Sequence, residues 1–254
     1  MAAVTPPIRW GSREVNLGWV PENADEMVAT ARPLLAEMTG ALAFTFIAGA
    51  AIIVNSSAVS EGGLGLLGIA VATALAYGII VSAFYSVSGG HLNPAVTLAH
   101  LAARRIPVFV AILYVSVQLV GAVLGALLLE FIFRDYVGDA SLAAMSLFDD
   151  RMGAFPGGVL EAILTFMLVV VYFRAFVDPK GDRATGGIAV GLVVLFGMLV
   201  AFPLTGGAMN LARVFGTDFV AGEWADFGSY AIGLIGGFAA GLVYQYFFIS
   251  REET

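Results

Sequence analysis

The segment Ser88-Gly-Gly-His-Leu-Asn-Pro-Ala-Val96 returns 117 positions later as Thr205-Gly-Gly-Ala-Met-Asn-Leu-Ala-Arg213. In both copies two glycines lead to an asparagine, and residues compatible with a helix follow it. Asparagine is a preferred N-cap residue, because its side-chain oxygen accepts a hydrogen bond from a free backbone N–H in the first turn of a helix. The repeat therefore predicts two loops that enter a helix at Asn93 and at Asn210.

Composition places these loops in a membrane protein. Hydrophobic residues make up 59% of the 254 residues and charged residues 12%, and the mean hydropathy is +0.91, all far from the soluble range. Nucleic acid is not an expected partner, because the net charge is −7 and the basic residues are scattered. Without cysteine, disulfides and thiolate metal sites are excluded. We expect no enzyme, cofactor or metal, since the sequence holds no nucleophile-base motif, phosphate loop or metal-ligand cluster.

Six apolar runs are each long enough to cross a bilayer, which takes about 20 helical residues. They lie near 34–56, 64–87, 107–133, 157–177, 186–204 and 227–249. Two shorter pieces, 93–104 and 210–219, begin at the repeated asparagines and would each form about 15 Å of helix, half the membrane thickness. The sequence predicts an all-α membrane protein with six transmembrane helices and two re-entrant half-helices.

The six runs divide one membrane domain, 34–249, into a first half of about 34–133 and a second half of about 157–249. Three crossings in each half invert the second copy relative to the first. In such an inverted repeat the two half-helices enter from opposite faces and meet near the midplane. Residues 1–33 are predicted to form a partly disordered N-terminal tail, and 250–254 a short C-terminal tail.

The basic residues indicate the orientation of the chain in the membrane. Nine of the twelve fall on the side that holds both termini, and only Arg134, Arg151 and Arg213 fall on the other. Basic residues are enriched in cytoplasmic loops. We therefore expect a multi-pass protein of the cell (plasma) membrane with both termini in the cytoplasm and the lipid bilayer as its surroundings.

Pairs of small residues four positions apart extend the repeat beyond the loops. Gly121-x-x-x-Gly125 in the third run matches Gly237-x-x-x-Gly241 in the sixth, 116 positions later. Ala70-x-x-x-Ala74 in the second run likewise matches Gly187-x-x-x-Gly191 in the fifth. Small residues at this spacing let helices approach closely in lipid. The pairs are interpreted as equivalent crossings, although glycine and alanine are simply common in this chain.

The two loop elements, SGGHLNPAVTLA from Ser88 and TGGAMNLAR from Thr205, together with Glu37 and Glu161 early in each half, resemble the aquaporin, or major intrinsic protein, family. The resemblance covers roughly residues 34–249. It implies a passive channel for water and small uncharged solutes that excludes protons and ions, assembled as a homotetramer. The alternative is a facilitator of glycerol, urea or a similar neutral solute, with water secondary. An ion-coupled secondary transporter, which also uses inverted repeats, and a structural protein with an occluded pore stay open.

The resemblance also implies which residues form the pore. The two asparagine motifs are Asn93, Pro94 and Ala95, and Asn210, Leu211 and Ala212. The backbone carbonyls expected to line the pore belong to Gly89, Gly90, His91, Gly206, Gly207 and Ala208. The outer selectivity filter is expected at Thr73, Met198, Gly207 and Arg213. The buried glutamates Glu37 and Glu161 are expected to brace the loops rather than relay protons.

The chain departs from the family pattern in the filter and in the second motif. Water-selective members place a phenylalanine and a histidine beside the arginine, and glycerol-type members place two aromatic residues there. Thr73, Met198 and Gly207 offer no aromatic side chain, so we expect a filter wider than that of a strict water channel. Leu211 replaces the proline of the second motif, and it is interpreted as a good helix former that leaves the asparagine cap sufficient. The alternative is that the start of the half-helix loosens and widens the narrowest region.

Other positions carry weaker signals. Thr165 fits the Glu-x-x-x-Thr start that the family shows in the fourth helix, whereas Ala41 does not fit it in the first. His91 and His100 could titrate near neutral pH and gate the pore. They are interpreted as packed histidines instead.

Overall fold

The computed structural model describes residues 8–10, 13–15, 24–55, 63–135, 149 and 151–249. Two short antiparallel strands, β1 (Ile8–Trp10) and β2 (Arg13–Val15), precede the helices. The helices are α1 (Ala24–Val54), α2 (Gly65–Ser88), α3 (Pro94–Ala102), α4 (Val108–Phe133), α5 (Ala154–Tyr172), α6 (Arg183–Thr205), α7 (Leu211–Ala221) and α8 (Phe227–Val243). A π-helical turn continues α5 over Phe173–Val177 and α8 over Tyr244–Phe248.

Six of the described helices are long and apolar enough to cross a membrane. They span Met27–Val54, Gly65–Ser88, Val108–Phe133, Ala154–Val177, Arg183–Thr205 and Phe227–Phe248. Large apolar side chains such as Ile79, Phe131 and Phe247 are exposed on their outer faces, as lipid contact requires. The predicted all-α fold with six membrane-spanning helices is confirmed.

The first helix begins earlier than the apolar run that predicted it. α1 starts at Ala24, ten residues before position 34, and it contains Pro33. The apolar run marks the part suited to hydrocarbon, whereas residues 24–33 include charged side chains that a helix tolerates outside the membrane. Residues 1–33 therefore contain β1, β2 and the first turns of α1, and 250–254 lie outside the described residues.

The half-helices α3 and α7 contain 9 and 11 residues, or about 14 and 17 Å of helix. Each follows an asparagine in an extended conformation, with φ −153° at Asn93 and −149° at Asn210. The Asn93 Oδ1 accepts a hydrogen bond from Ala95 N at 2.8 Å, and the Asn210 Oδ1 accepts one from Ala212 N at 3.0 Å. Both predicted N-caps are confirmed.

Helix packing follows the inverted repeat. Within the halves, α1 packs on α4 and α5 packs on α8, while α2 packs on α6 between the halves. Each half-helix packs mainly on the opposite half, α3 on α8 and α7 on α4. The exchange brings the N-termini of α3 and α7 to the centre of one helical bundle.

Small residues allow these close contacts, with one difference from the predicted pairing. A Cβ at Gly121 would lie 2.1 Å from a backbone oxygen of α1. The matching contact on α5 is made by Gly236, where a Cβ would lie 2.0 Å from a backbone oxygen, while Gly237 instead faces the half-helix α3. The expected equivalence of Gly121 and Gly237 is thus displaced by one position. Gly191 lies against Ala74, its predicted counterpart, where α2 and α6 cross.

Candidate functional site

The two asparagines hydrogen-bond across the centre of the bundle. Asn93 Nδ2 donates to Met209 O at 2.7 Å, and Asn210 Nδ2 donates to Leu92 O at 2.9 Å. Each asparagine therefore caps its own half-helix through its oxygen and binds the opposite loop through its nitrogen. One N–H of each amide is used in this way, and each NH2 group has a second N–H to donate.

The loops that lead to the asparagines share an unusual backbone. Leu92 and Met209, each one residue before its asparagine, have φ values of 52° and 48°, in the left-handed region that non-glycine residues rarely adopt. Such conformations cost about 1–3 kcal/mol each and persist when their surroundings hold them. At Gly90, with φ 62°, a Cβ would lie 2.8 Å from Val81 O, so the close approach to α2 requires glycine there.

Glu37 holds the first loop. Its side chain is fully buried on α1, and both carboxylate oxygens accept two hydrogen bonds each. The donors are Ser88 Oγ at 2.6 Å and His91 N at 2.9 Å to Oε1, and Leu92 N at 2.6 Å and Gln118 Nε2 at 2.7 Å to Oε2. Four donors on one carboxylate require it to act only as an acceptor.

Glu161 holds the second loop with one bond fewer. Its Oε1 accepts from Thr205 Oγ1 at 2.6 Å and from Ala208 N at 3.0 Å, and its Oε2 accepts from Met209 N at 2.8 Å. The carboxylates thus bind the amides of the strained residues Leu92 and Met209. Both predicted bracing residues have bonds suited to that role.

Glu37 and Glu161 differ in the side chains that the neighbouring helices place beside them. Gln118 of α4 donates to Glu37 and also to Thr97 Oγ1 at 3.0 Å. In the second half, a Cβ at Gly233 of α8 would lie 3.3 Å from Thr165 Oγ1, so no long side chain could occupy that space without displacing the threonine. Ala41 stands where the family pattern would place a threonine after Glu37. In this half of the protein, Gln118 of another helix contacts the glutamate instead.

Tyrosines that the sequence interpretation missed also hold the loops. Tyr114 OH donates to Ser88 O at 2.8 Å, and Tyr230 OH donates to Thr205 O. The two tyrosines are 116 positions apart, close to the 117 that separates their acceptors. The same offset of 116 positions separates Gly121 from Gly237, so a search for residues repeated at this offset would have identified both tyrosines. Gln118 has no counterpart in the repeat, and no signal in the sequence marks it.

The predicted pore-lining carbonyls fall into two groups. Three accept hydrogen bonds from side chains: Gly89 O from Tyr172 OH, His91 O from Tyr77 OH at 3.3 Å, and Gly206 O from Arg213 Nη2 at 3.3 Å. Within the described part of the chain, no protein donor reaches the carbonyls of Gly90, Gly207 and Ala208. Each carbonyl has two lone pairs, so all six have acceptor capacity for a permeating molecule.

The predicted filter residues are closely packed. The Thr73, Met198 and Arg213 side chains are at most 2% exposed, and Met198 Sδ lies 3.3 Å from the position of a Cβ at Gly207. Met198 thus packs against the backbone of Gly207. Thr73 Oγ1 and the Nε and Nη1 atoms of Arg213 are buried without a partner among the described residues. These groups can hydrogen-bond a molecule that enters the constriction.

The first residue of each half-helix differs between the halves. Pro94 occupies this position in α3, where a missing N–H costs nothing, and Leu211 occupies it in α7. The asparagine cap is present in both half-helices, at 2.8 Å in the first and 3.0 Å in the second. The first intrahelical bond is longer in the second, with Val214 N 3.4 Å from Asn210 O against 3.1 Å between Thr97 N and Asn93 O. The cap therefore persists without the proline, and the turn that follows it is slightly looser.

The two histidines pack together. The His91 and His100 rings stack with centroids 4.0 Å apart, and both residues are buried. His91 Nδ1 lies 3.1 Å from Thr97 Oγ1, and His100 Nδ1 lies 2.9 Å from Val96 O. This packing accords with their interpretation as packed histidines.

A family model described as Major intrinsic protein matches residues 25–244 of this chain. The chain belongs to the major intrinsic protein family. The chain is 41% identical over 227 residues to "Aquaporin TIP4-4" of Zea mays, covering 87% of this chain and 88% of the relative. It is 36% identical over 229 residues to "Probable aquaporin TIP2-2" of Arabidopsis thaliana, covering 87% and 89%.

A solved structure shows the same fold at lower identity. The aquaglyceroporin from Plasmodium falciparum superposes with a TM-score of 0.76 and 18% identity, over 86% of this chain and 96% of that one. Membership of the major intrinsic protein family accords with the two half-helices described above, each capped by an asparagine. It also makes the chain a multi-pass membrane protein.

Proposed function

We propose that the chain forms a channel for passive, bidirectional permeation of water, with slower passage of small uncharged solutes. The supporting observation is the mutual bonding of Asn93 and Asn210 with the opposite loops, which fixes two half-helix N-termini at one point of the bundle. The spare amide N–H groups and the loop carbonyls offer a permeating water donors and acceptors in place of bulk solvent.

Fixed positive potential would exclude protons and other cations. Each half-helix N-terminus carries about half an elementary charge. A cation about 5 Å from both, at an effective dielectric constant of about 20, is opposed by roughly 3 kcal/mol. Arg213, buried next to the second loop, adds a full charge, and loss of hydration in a narrow passage adds further cost. A neutral molecule avoids most of this barrier.

Small solutes are proposed as secondary permeants. Thr73, Met198 and Gly207 present no aromatic ring that would fix a narrow aperture beside Arg213. The flexible thioether of Met198 can move aside more readily than an aromatic ring. A facilitator specialised for glycerol or urea is the alternative, and it would transport such a solute as readily as water.

An ion-coupled transporter is disfavoured by the state of the carboxylates. Glu37 accepts four hydrogen bonds and Glu161 accepts three, all from the loops and helices around them. A coupling cation would have to displace several of these donors. We therefore propose permeation that is not coupled to an ion gradient and that involves no enzymatic or energy-driven step.

Assembly, orientation and location are further proposals. The homotetramer rests on family resemblance. Cytoplasmic termini rest on the nine-to-three distribution of basic residues. The cell (plasma) membrane is the proposed location, and fluorescence microscopy of the tagged protein beside membrane markers would test it. Chemical crosslinking of the purified protein, read as a ladder that stops at four subunits, would test the tetramer.

Stopped-flow light scattering on proteoliposomes tests the proposed function directly. We expect fast water flux in an osmotic gradient, slower swelling with glycerol and urea, and no change when ion gradients are collapsed. Equal rates for water and one solute would favour the facilitator. Flux that saturates or needs an ion gradient would favour a transporter, and no flux above empty liposomes would mean an occluded pore.

A further inference from the structure

A cavity of about 530 Å³ adjoins the first loop, within the range of about 300–1,000 Å³ typical of small-molecule sites. We call it the inner vestibule, because the predicted orientation places it at the cytoplasmic end of the pore. The residues that line it include Tyr85 and Ser88 of α2, loop residues 89 and 91, His100 of α3, Tyr114 of α4, Tyr172 of α5, and Arg105 and Arg183.

Positive charge dominates the inner vestibule. Arg105 and Arg183 are the charged residues among those that line it, and no carboxylate is among them. Nearby Asp178 is already engaged, since it accepts from Lys180 N at 2.9 Å and Tyr244 OH at 2.8 Å and pairs with Arg174 at 3.4 Å. The two arginine charges therefore act on whatever enters the cavity.

The tyrosine hydroxyls of the vestibule do not offset this charge. Tyr85 OH donates to Phe176 O at 3.0 Å, and Tyr114 and Tyr172 donate to carbonyls of the first loop. Their hydroxyl protons are therefore already engaged in hydrogen bonds to backbone carbonyls. The polar lining thus consists of neutral groups and two cations, a combination that favours an anion.

Each arginine is positioned by a neutral partner. Arg105 Nε donates to Gln245 Oε1 at 2.7 Å, which leaves its terminal N–H groups for a second acceptor. The Arg183 guanidinium lies 5.5 Å from the centre of the Tyr85 ring, in cation–π range. The Asp178 carboxylate also acts on Arg105, but it is shared with Arg174. The positive charges of Arg105 and Arg183 are therefore not cancelled, and guanidinium groups suit the recognition of phosphate.

We propose that the inner vestibule binds a small phosphate-type anion, carrying two or more negative charges, through Arg105 and Arg183. Guanidinium groups bind phosphate oxygens with paired, charge-assisted hydrogen bonds. An anion there would lie beside His91 and the first loop, directly on the approach to Asn93, and would obstruct permeation from that side. The obstruction rests on the proposed channel function, whereas the binding does not.

Calorimetric titration of the full-length protein in neutral-lipid nanodiscs with inorganic pyrophosphate tests the binding. We expect Arg105→Gln and Arg183→Gln each to weaken binding by about tenfold, since each removes a charge-assisted contact. Arg105→Lys should retain more affinity than Arg105→Gln, because it keeps the charge. Size-exclusion profiles and circular dichroism verify that each variant is folded.

Arg104→Gln is the matched control, because it removes the same charge from the neighbouring exposed residue, which does not line the cavity. We expect it to change the affinity by less than about twofold. Equal losses for Arg104→Gln and Arg105→Gln, or no binding to the parent, would overturn the site. Pyrophosphate binding that is weaker in nanodiscs with phosphatidate than in nanodiscs with an equal charge of phosphatidylserine would support the site and identify a lipid phosphate as the source of the anion.

Water flux separates the binding from the channel function. Pyrophosphate on both sides of proteoliposomes should slow water flux through the parent and have no effect on the double variant Arg105→Gln/Arg183→Gln relative to its own flux without the anion. Unchanged parent flux despite tight binding would overturn the obstruction. A parent that binds pyrophosphate but conducts no water would refute the proposed function and leave the site standing.

Discussion

Glu37→Gln and Glu161→Gln should destabilise the protein to a similar degree. Glutamine replaces one acceptor oxygen by an NH2 donor, so a backbone N–H that pointed at that oxygen loses its partner, whereas a hydroxyl can rotate and accept from the new group. At Oε1 of Glu37 the two donors are Ser88 Oγ and His91 N, so only the His91 N–H loses its acceptor. At Oε1 of Glu161 they are a threonine hydroxyl and Ala208 N, so only the Ala208 N–H loses its acceptor.

Each variant therefore loses one buried, charge-assisted hydrogen bond relative to the parent. Such bonds contribute about 1.5–3 kcal/mol each. At about 2–4 °C per kcal/mol for a chain of this size, each variant should unfold roughly 3–12 °C below the parent. Thermal unfolding of the purified variants in one detergent, followed by circular dichroism, measures this gap, and stopped-flow water permeability at lower temperature shows whether the loops still conduct.

Glu130→Gln is the control, since Glu130 is an exposed carboxylate on α4 and its replacement should shift the unfolding temperature by little. A fall in unfolding temperature several-fold larger for one of the two variants would refute the counting of donors. No fall for either variant would mean that the loops do not depend on their carboxylates.

Three further predictions address topology, charge exclusion and the filter. Reporter tags at positions 140 and 180 should label from opposite sides of the membrane, and labelling from one side would contradict the proposed topology. Arg213→Val should keep water flux within a few-fold but raise proton leak, because the half-helix charges remain while one full charge is lost. A pH-sensitive dye measures the leak. If water flux collapses while the leak is unchanged, Arg213 has a structural role instead. Thr73→Phe combined with Met198→His should abolish glycerol and urea swelling while sparing water, and a parent that already rejects both solutes would refute a permissive filter.

Much of the fold could be predicted because its signals are local. Apolar runs near 20 residues indicate membrane spans, and an asparagine before a helix-compatible stretch indicates an N-cap, so α3 and α7 were expected at Asn93 and Asn210. The early start of α1 was missed, because hydropathy detects the hydrocarbon segment and not the charged helical turns before it. The length of a helix and the length of its membrane-spanning part are different quantities.

The internal arrangement of the site was harder to predict, because it depends on contacts distant in sequence. Gln118 reaches Glu37 across 81 positions, and no repeat or motif marks it. Met198 was recognised as a filter residue, but its contact with Gly207 depends on how α6 packs beside the second loop. The one-position displacement of the glycine contacts, from Gly237 to Gly236, likewise follows from helix rotation that spacing alone does not specify.

The reciprocal asparagine bonds have a consequence for how the chain is made. Leu92 is synthesised 118 residues before Asn210, which donates to its carbonyl. Until the second half is inserted, the Leu92 carbonyl and the Asn93 amide lack these two partners at a depth where few waters could replace them, although Glu37 already holds the rest of the loop. The first three helices can enter the membrane early, but the centre of the bundle is completed only when the last quarter of the chain arrives. A ribosome stalled before position 210 should therefore hold a first loop that is still open to protease or solvent exchange.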